Sequence, residues 1–343
     1  MDMPIEPLEL APKRCGFCEK QGQSLRCSRC RVVFYCSREH QVNDRDEHKR
    51  SCNKIAKTRE KVAAEERRLR ESPPDLFLPE NVFETSVGHF WGIWETRDYM
   101  RARSGFLHAL LEVNTLESVK MQLDESRDLL RLCRSDNMGI RSMMPGMMLR
   151  LGLDQDCYDF VKWYETTGQD GHYDWGNMDN PFLDVKDADV FESADYLCHR
   201  FLDLGLISGV LLLKIRLLLD LRDLQNSTLA IEGRLPRELR DNVRGHLLRS
   251  PIIANNRQIL ERDDHSEAIK SLSSQIPELF RAIGEANEFF WDCMLDPYPY
   301  LDACPTSYSP GSESEVEAML KYIYPSWEET PGALDCIDEF VYG

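Results

Sequence analysis

Residues 15–52 read CGFCEKQGQSLRCSRCRVVFYCSREHQVNDRDEHKRSC, and this stretch decides how the rest of the chain is interpreted. It holds six thiols and two imidazoles at short, repeated spacings: Cys15, Cys18, Cys27, Cys30, Cys36, His40, His48 and Cys52. Zinc takes four ligands from thiolate sulfur and imidazole nitrogen, and a two-residue gap between cysteines lets one tight turn present both sulfurs to one ion. Cys36 and His40, like His48 and Cys52, have the i,i+4 spacing of one helix face. The eight side chains therefore predict two tetrahedral zinc sites.

The spacing alone leaves two ways to distribute the ligands. The two ions could be bound by consecutive groups of four, or the two knuckles could each join a later helical pair. Disulfides would suit a short secreted chain, whereas this one opens Met-Asp-Met-Pro without an apolar signal segment. A structural role is favoured over a catalytic one because every candidate ligand is used and no position is left for water. Metal binding would then supply the folding free energy of a module with few large apolar side chains.

The stretch resembles the MYND zinc finger in its two Cys-x2-Cys knuckles and in the segment Phe34-Tyr-Cys-Ser-Arg-Glu-His-Gln41. The resemblance implies the interleaved arrangement, which we carry onto these positions. The first zinc ion would be bound by Cys15, Cys18, Cys36 and His40, and the second by Cys27, Cys30, His48 and Cys52. Family members that bind proline-rich peptides do so with a glutamine matching Gln41 and a tryptophan at the position of Arg45. We expect a peptide to dock on the finger through Gln41, Val42 and Arg45. Because Arg45 stands where those family members have the aromatic residue, a proline-rich ligand is not predicted.

Composition divides the 343-residue chain into a basic head and an acidic body. Its formal net charge is −17, yet residues 13–71 carry 17 Lys and Arg against 9 Asp and Glu. An acidic body argues against nucleic acid bound along the whole surface, because phosphate contacts need clustered Lys and Arg. The basic head could bind an acidic partner. A small zinc module exposes most of its side chains in any case, so its exposed Lys and Arg do not by themselves indicate such a partner. The remaining cysteines predict buried, reduced thiols of an intracellular protein: Cys133, Cys157, Cys198, Cys293, Cys304 and Cys336.

Four segments are predicted along the chain: a disordered tail at 1–14, the finger at 15–52, a linker helix with a proline-containing end at 53–79, and an α-helical domain at 80–343. In the linker helix Ile55, Val62 and Leu69 lie seven residues apart, a thin apolar stripe that predicts an exposed helix leading away from the finger. Ser72-Pro73-Pro74 ends it. The run 209–220 is strongly apolar up to its last residue, Asp220, but is interrupted by Lys214 and Arg216, which predicts a central core helix and not a membrane span.

From about Val82 onward helical patterns alternate with short breaks, so the fold class is mainly α. The segments 132–141 and 149–160, together with the far end from Pro305 to Leu334, are similar to a tetratricopeptide-like helical region. With the finger, this resembles a fungal-type family that joins a MYND-type zinc finger to such a region. No clean 34-residue period can be extracted. The methionines at 143, 144, 147 and 148 recur at helical spacing and predict core filling.

No catalytic constellation is found. The chain has no nucleophile elbow, P-loop or dinucleotide fingerprint. SET-domain lysine methyltransferases can carry a MYND finger, but their cofactor segment and late tyrosine motif are missing and this body is helical. We therefore expect a protein that is not an enzyme.

The expected function is a zinc-binding protein–protein interaction adaptor inside the cell, in the nucleus or the cytoplasm. The finger would dock a partner peptide and the helical domain would act as a scaffold. A transcription-related regulator that contacts nucleic acid through the basic finger and following helix is the alternative, although nucleic acid is the less favoured partner. A membrane is not expected as a partner.

Overall fold

The computed structural model describes residues 14–22, 25–231, 248–303, 305 and 307–342. The predicted disordered tail, apart from Arg14, and Cys304 lie outside the described residues. The described residues form two compact units. The finger-bearing unit comprises residues 14–147 and 174–182, and the helical unit comprises the described parts of 148–173 and 183–342. The predicted domain boundaries stay a prediction.

The finger is built from one hairpin and two helices. Strand β1 (Leu25–Arg26) pairs antiparallel with β2 (Phe34–Tyr35), with Leu25 opposite Tyr35. Helix α1 (Arg38–Asn43) begins after Ser37, whose hydroxyl accepts from the backbone N–H of His40. Helix α2 (Arg45–Glu71) follows after a single residue. The helical pair His48 and Cys52 therefore belongs to the start of a 27-residue helix.

The prediction that residues 53–70 form an exposed helix leading away from the finger is wrong, because one face of α2 is buried. Ile55 and Leu69 of the predicted stripe are buried and Val62 is partly buried. The stripe packs against α4 (Arg97–Leu110), whose Phe106 and Leu110 share one core cluster with Ile55. One apolar residue per two turns is sufficient for α2 to pack, because α4 presents several buried apolar side chains to it. The helix thus holds the finger to its neighbours.

The finger-bearing unit continues with α3 (Val82–Thr85), α4, α5 (Leu116–Leu132) and the beginning of α6 (Met144–Arg150). Between α5 and α6 the carboxylate of Asp136 accepts from the backbone N–H groups of Ile140 and Arg141, at 2.8 and 2.9 Å. These two hydrogen bonds fix the turn that leads into the short 3-10 helix Arg141–Met143 before α6. The four predicted core methionines of this region are all buried, which confirms their core-filling role.

The helical unit is built around α8 (Leu204–Ile231), most of whose described side chains are buried. Helix α7 (Asp154–Glu165) precedes it. After it come α9 (Pro251–Ala254), α10 (Arg257–Leu260), α11 (Ser266–Ala286), α12 (Phe290–Leu295), α13 (Glu313–Glu328) and α14 (Ala333–Tyr342). The predicted core helix is confirmed, since Leu206 to Leu217 lie in the interior. Among the described residues, no helix combines the length and apolar character needed to cross a bilayer.

Two cations of α8 are fully buried and satisfied by specific groups. The guanidinium of Arg216 donates to Asp154 Oδ1 and Leu149 O, each at 3.0 Å, and to Thr330 Oγ1 at 2.8 Å. The ammonium of Lys214 donates to the carbonyls of Val190 and Glu192, each at 2.7 Å. These groups explain how Lys214 and Arg216 interrupt an apolar run without reaching solvent.

The mainly α prediction is confirmed, and the tetratricopeptide-like repeat stays a prediction. The prediction of buried thiols holds for Cys133, Cys157 and Cys293. It is wrong for Cys198, which is exposed at the end of a short 3-10 turn over Asp195–Leu197. A side chain on a surface turn stays in contact with water, whereas one on a core helix is covered by its neighbours.

Candidate metal centres

The structure gathers the eight predicted ligands into two tetrads. In the first tetrad, Cys15, Cys18, Cys36 and His40 have ligand atoms that all lie within 4.8 Å of one another. The second tetrad, Cys27, Cys30, His48 and Cys52, meets the same limit. Each tetrad therefore joins one knuckle to one later pair, which is the interleaved order that the resemblance implies.

The atom separations fit tetrahedral zinc. The Sγ atoms of Cys18 and Cys36 are 3.6 Å apart, and those of Cys27 and Cys52 are 3.8 Å apart. Tetrahedral coordination with zinc–sulfur bonds of about 2.3 Å places two sulfurs about 3.8 Å apart. A disulfide would need about 2.05 Å. The donor set is thus arranged for an ion at the centre of each tetrad.

The two histidines face their tetrads through different nitrogens. His40 presents Nδ1, 3.5 Å from the sulfur of Cys15, whereas His48 presents Nε2, 3.4 Å from the sulfur of Cys30. Both sulfur–nitrogen separations agree with about 3.6 Å for a tetrahedral ion bound by sulfur at about 2.3 Å and nitrogen at about 2.05 Å. Each tetrad offers four protein donors, so neither has an open position for water or substrate. Two structural zinc ions are consistent with both centres.

The knuckles are closed by left-handed residues. The backbone N–H of Glu19 donates to Cys15 O at 2.9 Å, and that of Arg31 donates to Cys27 O at 3.0 Å. Both residues have positive φ, 57° for Glu19 and 66° for Arg31. A non-glycine residue adopts this conformation at a cost, which the bound metal and the closing hydrogen bond offset. The Cys-x2-Cys spacing is thereby converted into two sulfurs on one side of a turn.

The electrostatics of both centres favour a cation. Burial raises the pKa of the Cys15 thiol, but the backbone N–H groups of Cys18, Phe17 and Cys36 outweigh it and bring that pKa to about 6. Burial also raises the pKa of Cys52, and the negative thiolates of Cys30 and Cys27 raise it further, to about 12. Three thiolates crowded together repel one another unless a positive charge lies between them. A divalent ion supplies that charge.

The second tetrad is the more buried of the two and is connected to the helices. Cys27, Cys30 and Cys52 belong to the core cluster that includes Phe106 and Leu110 of α4. In the first tetrad only Cys15 is buried, and the other three ligands are partly exposed. The second centre is therefore shielded by the helical part of its own unit.

Arg59 of α2 holds the second knuckle from outside. Its guanidinium donates to Cys30 O at 2.5 Å and to Arg29 O at 2.9 Å, and it lies 5.4 Å from the centroid of the Phe106 ring. Thr115, the N-cap of α5, donates its hydroxyl to Val32 O at 2.6 Å. Neither residue is identified by the sequence pattern. Their contacts join segments 29 and 83 residues apart, for which a single sequence carries no signal.

The three predicted peptide-docking residues lie on adjacent helices of the finger. Val42 on α1 is 57% exposed, and Arg45 is the first residue of α2 and also exposed. Gln41 is partly buried, and its Oε1 accepts from Arg38 at 2.6 Å. Phe17, 47% exposed, places its ring 5.1 Å from the imidazole of His40. An apolar residue that sequence reasoning did not select therefore lies beside the first tetrad.

Comparison with known proteins identifies the finger. Residues 15–52 match the family model described as MYND finger. A stretch of 46 residues is 48% identical to a human protein, Egl nine homolog 1; it covers 13% of this chain and 11% of that protein. No solved structure matches the chain. The chain therefore carries a MYND zinc finger at residues 15–52, followed by a mostly helical region.

Proposed function

We propose that this chain is a protein–protein interaction adaptor whose finger docks a peptide of a partner protein while its helical part acts as a scaffold. MYND fingers are in general modules for interactions between proteins, and residues 15–52 match that family. The observation that carries the proposal is the exposure of two apolar side chains of the finger: Phe17, 47% exposed beside His40 of the first tetrad, and Val42, 57% exposed on α1. Exposed apolar side chains on a rigid support are what a docking surface needs.

The proposal includes no catalytic role. Each tetrad has four protein donors, so a bound zinc ion would lack the open position that hydrolytic zinc sites keep for water. A relative of the SET-type methyltransferases is a weaker candidate. Among the described residues, strands occur only as the two-residue pair of the finger.

A transcription-related regulator that binds nucleic acid is the second candidate, because the finger and α2 are rich in Lys and Arg. Several of these side chains already serve the protein. Arg59 is bonded to backbone carbonyls, Lys54 pairs with Glu112, and Arg68 pairs with Glu65 at 2.7 Å. This use of the basic residues supports a protein partner over a phosphate backbone.

Affinity capture with matched variants tests the adaptor role. The intact chain is compared with Cys27→Ala, which removes a metal ligand, with Val42→Asp, which changes the exposed surface, and with Glu60→Ala as a control on the exposed side of α2. We expect one set of partners that the intact chain and the control capture and that both other variants lose. Identical partner lists for all four proteins would mean that the finger docks nothing.

Salt dependence separates the second candidate. A phosphate-driven complex with labelled duplex DNA should weaken by about a thousandfold or more between about 50 and 200 mM salt. A complex with a protein partner through Val42 and Phe17 should change little over the same range, because apolar contacts are not screened. Steep loss for DNA at low-nanomolar affinity would favour the regulator.

A further inference from the structure

An exposed tryptophan marks a surface of the finger-bearing unit that lies outside the finger itself. Trp94 begins a 3-10 turn, Trp94–Thr96, just before α4 and is 70% exposed. A second, partly exposed indole, that of Trp91, belongs to the preceding turn, Phe90–Gly92. Arg97, the first residue of α4, places its guanidinium carbon 5.0 Å from the ring centroid of Trp94 and 5.5 Å from that of Trp91. These three side chains form what we call the tryptophan–arginine surface.

The backbone beneath this surface is fixed by the core of its unit. The buried hydroxyl of Thr96 donates to the carbonyls of Phe90 and Ile93 and so connects the two turns. The side chain of Phe90 is also fully buried. At the end of α2, the guanidinium of Arg68 donates to Glu95 O at 2.9 Å. Both indoles are therefore carried by an ordered support, which lowers the entropic cost of docking.

The guanidinium of Arg97 has donors to spare. Its Nε donates to Trp91 O at 2.9 Å. No carboxylate of the described residues pairs with Arg97, and its Nη1 and Nη2 atoms find no acceptor there. The indole N–H of Trp94 likewise has no acceptor in the part of the chain that the structure describes. Because the N–H groups of a guanidinium form a planar fork, two of them can bind both oxygens of one carboxylate.

The neighbouring charges limit which anion this surface accepts. Asp98 pairs with Arg101 at 3.0 Å, and Glu95 has a buried Oε2 atom without a hydrogen-bond partner among the described residues. Arg97 is thus one uncompensated cation flanked in sequence by two carboxylates. A phosphate backbone needs clustered cations, and here it would meet one guanidinium and two negative charges. A single carboxylate among apolar groups fits this balance better.

The exposure of Trp94 favours a protein partner over a small molecule. Small-molecule sites are concave and cover about 70–90% of the ligand surface. Trp94 instead leaves 70% of its own surface in water, so the cover must come from the partner. Tryptophan and arginine are enriched among the residues that contribute most to binding at protein interfaces.

We propose that the tryptophan–arginine surface docks a segment of a partner protein in which an aspartate or glutamate lies next to a large apolar side chain. The partner's carboxylate accepts from the open N–H groups of Arg97, and its apolar side chain packs against Trp94. The inference rests on the proposed adaptor role and gives the region that follows the finger a docking surface of its own.

Peptide selection on the full chain tests this surface. A phage-displayed library of random 12-residue peptides is selected on the intact chain, and enriched peptides are synthesised with a fluorescent label. Their affinities are measured for the intact chain, Trp94→Ala and Arg97→Gln. Phe201→Ala and Arg127→Gln are the controls, at an exposed aromatic residue and an exposed arginine elsewhere. A peptide that carries Asp or Glu should lose about 30-fold in affinity for Trp94→Ala and about 10- to 100-fold for Arg97→Gln, and neither control should change its affinity.

Peptide variants separate the ion pair from a general loss of structure. Replacement of the acidic residue of the peptide by its amide should weaken binding to the intact chain by about tenfold. The same replacement should not weaken binding to Arg97→Gln, because the partner of the carboxylate is already absent there. Urea unfolding of Trp94→Ala should match that of the intact chain, since most of this side chain is in water.

Three outcomes would each overturn the proposal. They are a selection that yields no peptide dependent on Trp94, Trp94-dependent peptides that tolerate the amide, and duplex DNA whose binding depends on Trp94 and Arg97 when that of peptides does not.

The docking role of the finger is tested separately in the same assay. Peptides of the tryptophan–arginine surface should bind Val42→Asp as tightly as the intact chain, because the surface contains no residue of 15–52. Peptides that depend on Val42, with none that depends on Trp94, would contradict this surface while supporting docking by the finger.

Discussion

The zinc finger and the core around α8 maintain their structures by opposite means. The finger has only a small apolar interior of its own, chiefly Val32, Val33 and Tyr35, and its backbone is fixed by eight donor side chains. Helix α8 is buried among apolar side chains and encloses Lys214, Arg216 and Asp220, each bonded to protein groups. The finger brings its polar ligands together to bind external cations. The core around α8 contains its own buried cations, which are paired with protein groups.

The two regions are therefore sensitive to different perturbations. The finger should fail when metal is removed, because metal coordination is its main source of folding free energy. The core around α8 should fail when one member of a buried pair is removed, because a charge is then left without a partner.

Chelation of zinc is expected to have the largest effect. Coordination of a structural zinc ion contributes on the order of 10 kcal/mol per site. Removal of the metal should therefore abolish amide hydrogen-exchange protection in residues 25–55, and the protection of α4 beside Phe106 should fall. Helix α8 should keep its slow exchange. Parallel loss of protection in α8 would show that the two regions do not differ as described.

Substitution of Arg216 should be the most damaging change in the core. Arg216→Ala leaves the buried carboxylate of Asp154 without its partner. We expect the free energy of unfolding to fall by about 3–5 kcal/mol, measured by urea titration. Arg222→Ala, an exposed position on the same helix, is the control and should change it by less than about 0.5 kcal/mol. Both variants should retain two zinc ions.

Lys214 should give the core a pH dependence of known sign. Burial lowers the pKa of Lys214 to about 8 from its ordinary 10.5. Between these values the unfolded chain binds more protons than the folded one, so this group makes stability rise with pH. The difference in unfolding free energy between the intact chain and Lys214→Met should grow by roughly 3 kcal/mol from pH 8 to 10.5. A constant difference across that range would contradict the lowered pKa of Lys214 in the folded chain.

Arg59 should distinguish the two metal centres. Removal of an outer group that orients metal ligands typically costs about 10- to 100-fold in metal affinity. Arg59→Ala should accordingly release one of two zinc ions about tenfold faster to a chromogenic chelator, because it holds the knuckle of Cys30 and does not contact the first tetrad. Arg50→Ala, exposed on the same helix, should leave both rates unchanged. Equal acceleration of both ions would show that the centres unfold together.

The finger could be predicted from sequence because its information is local. Two knuckles and two pairs at helical spacing identify the ligands, and the resemblance to MYND fingers implies how they combine. The buried helix of residues 209–220 was also predictable, since its apolar run up to Asp220 is interrupted only at Lys214 and Arg216. Both features depend on residues a few positions apart.

The remaining features depend on partners distant in sequence. The apolar stripe of α2 was visible, but nothing local indicated that Phe106 would cover it. Arg59, Thr115 and the carboxylate of Asp154 acquire their roles only when remote segments meet. A helical repeat is also defined by packing between helices that are distant in sequence. Because the helices of this chain show no regular period, the sequence gives little indication of that packing.

The most direct measurement is the zinc content of the freshly purified, unheated chain, by native mass spectrometry beside elemental analysis. We expect two zinc ions per intact chain and the loss of the ion of the second tetrad in Cys27→Ala. A chain that is folded in residues 15–52 yet carries no stoichiometric zinc would contradict it.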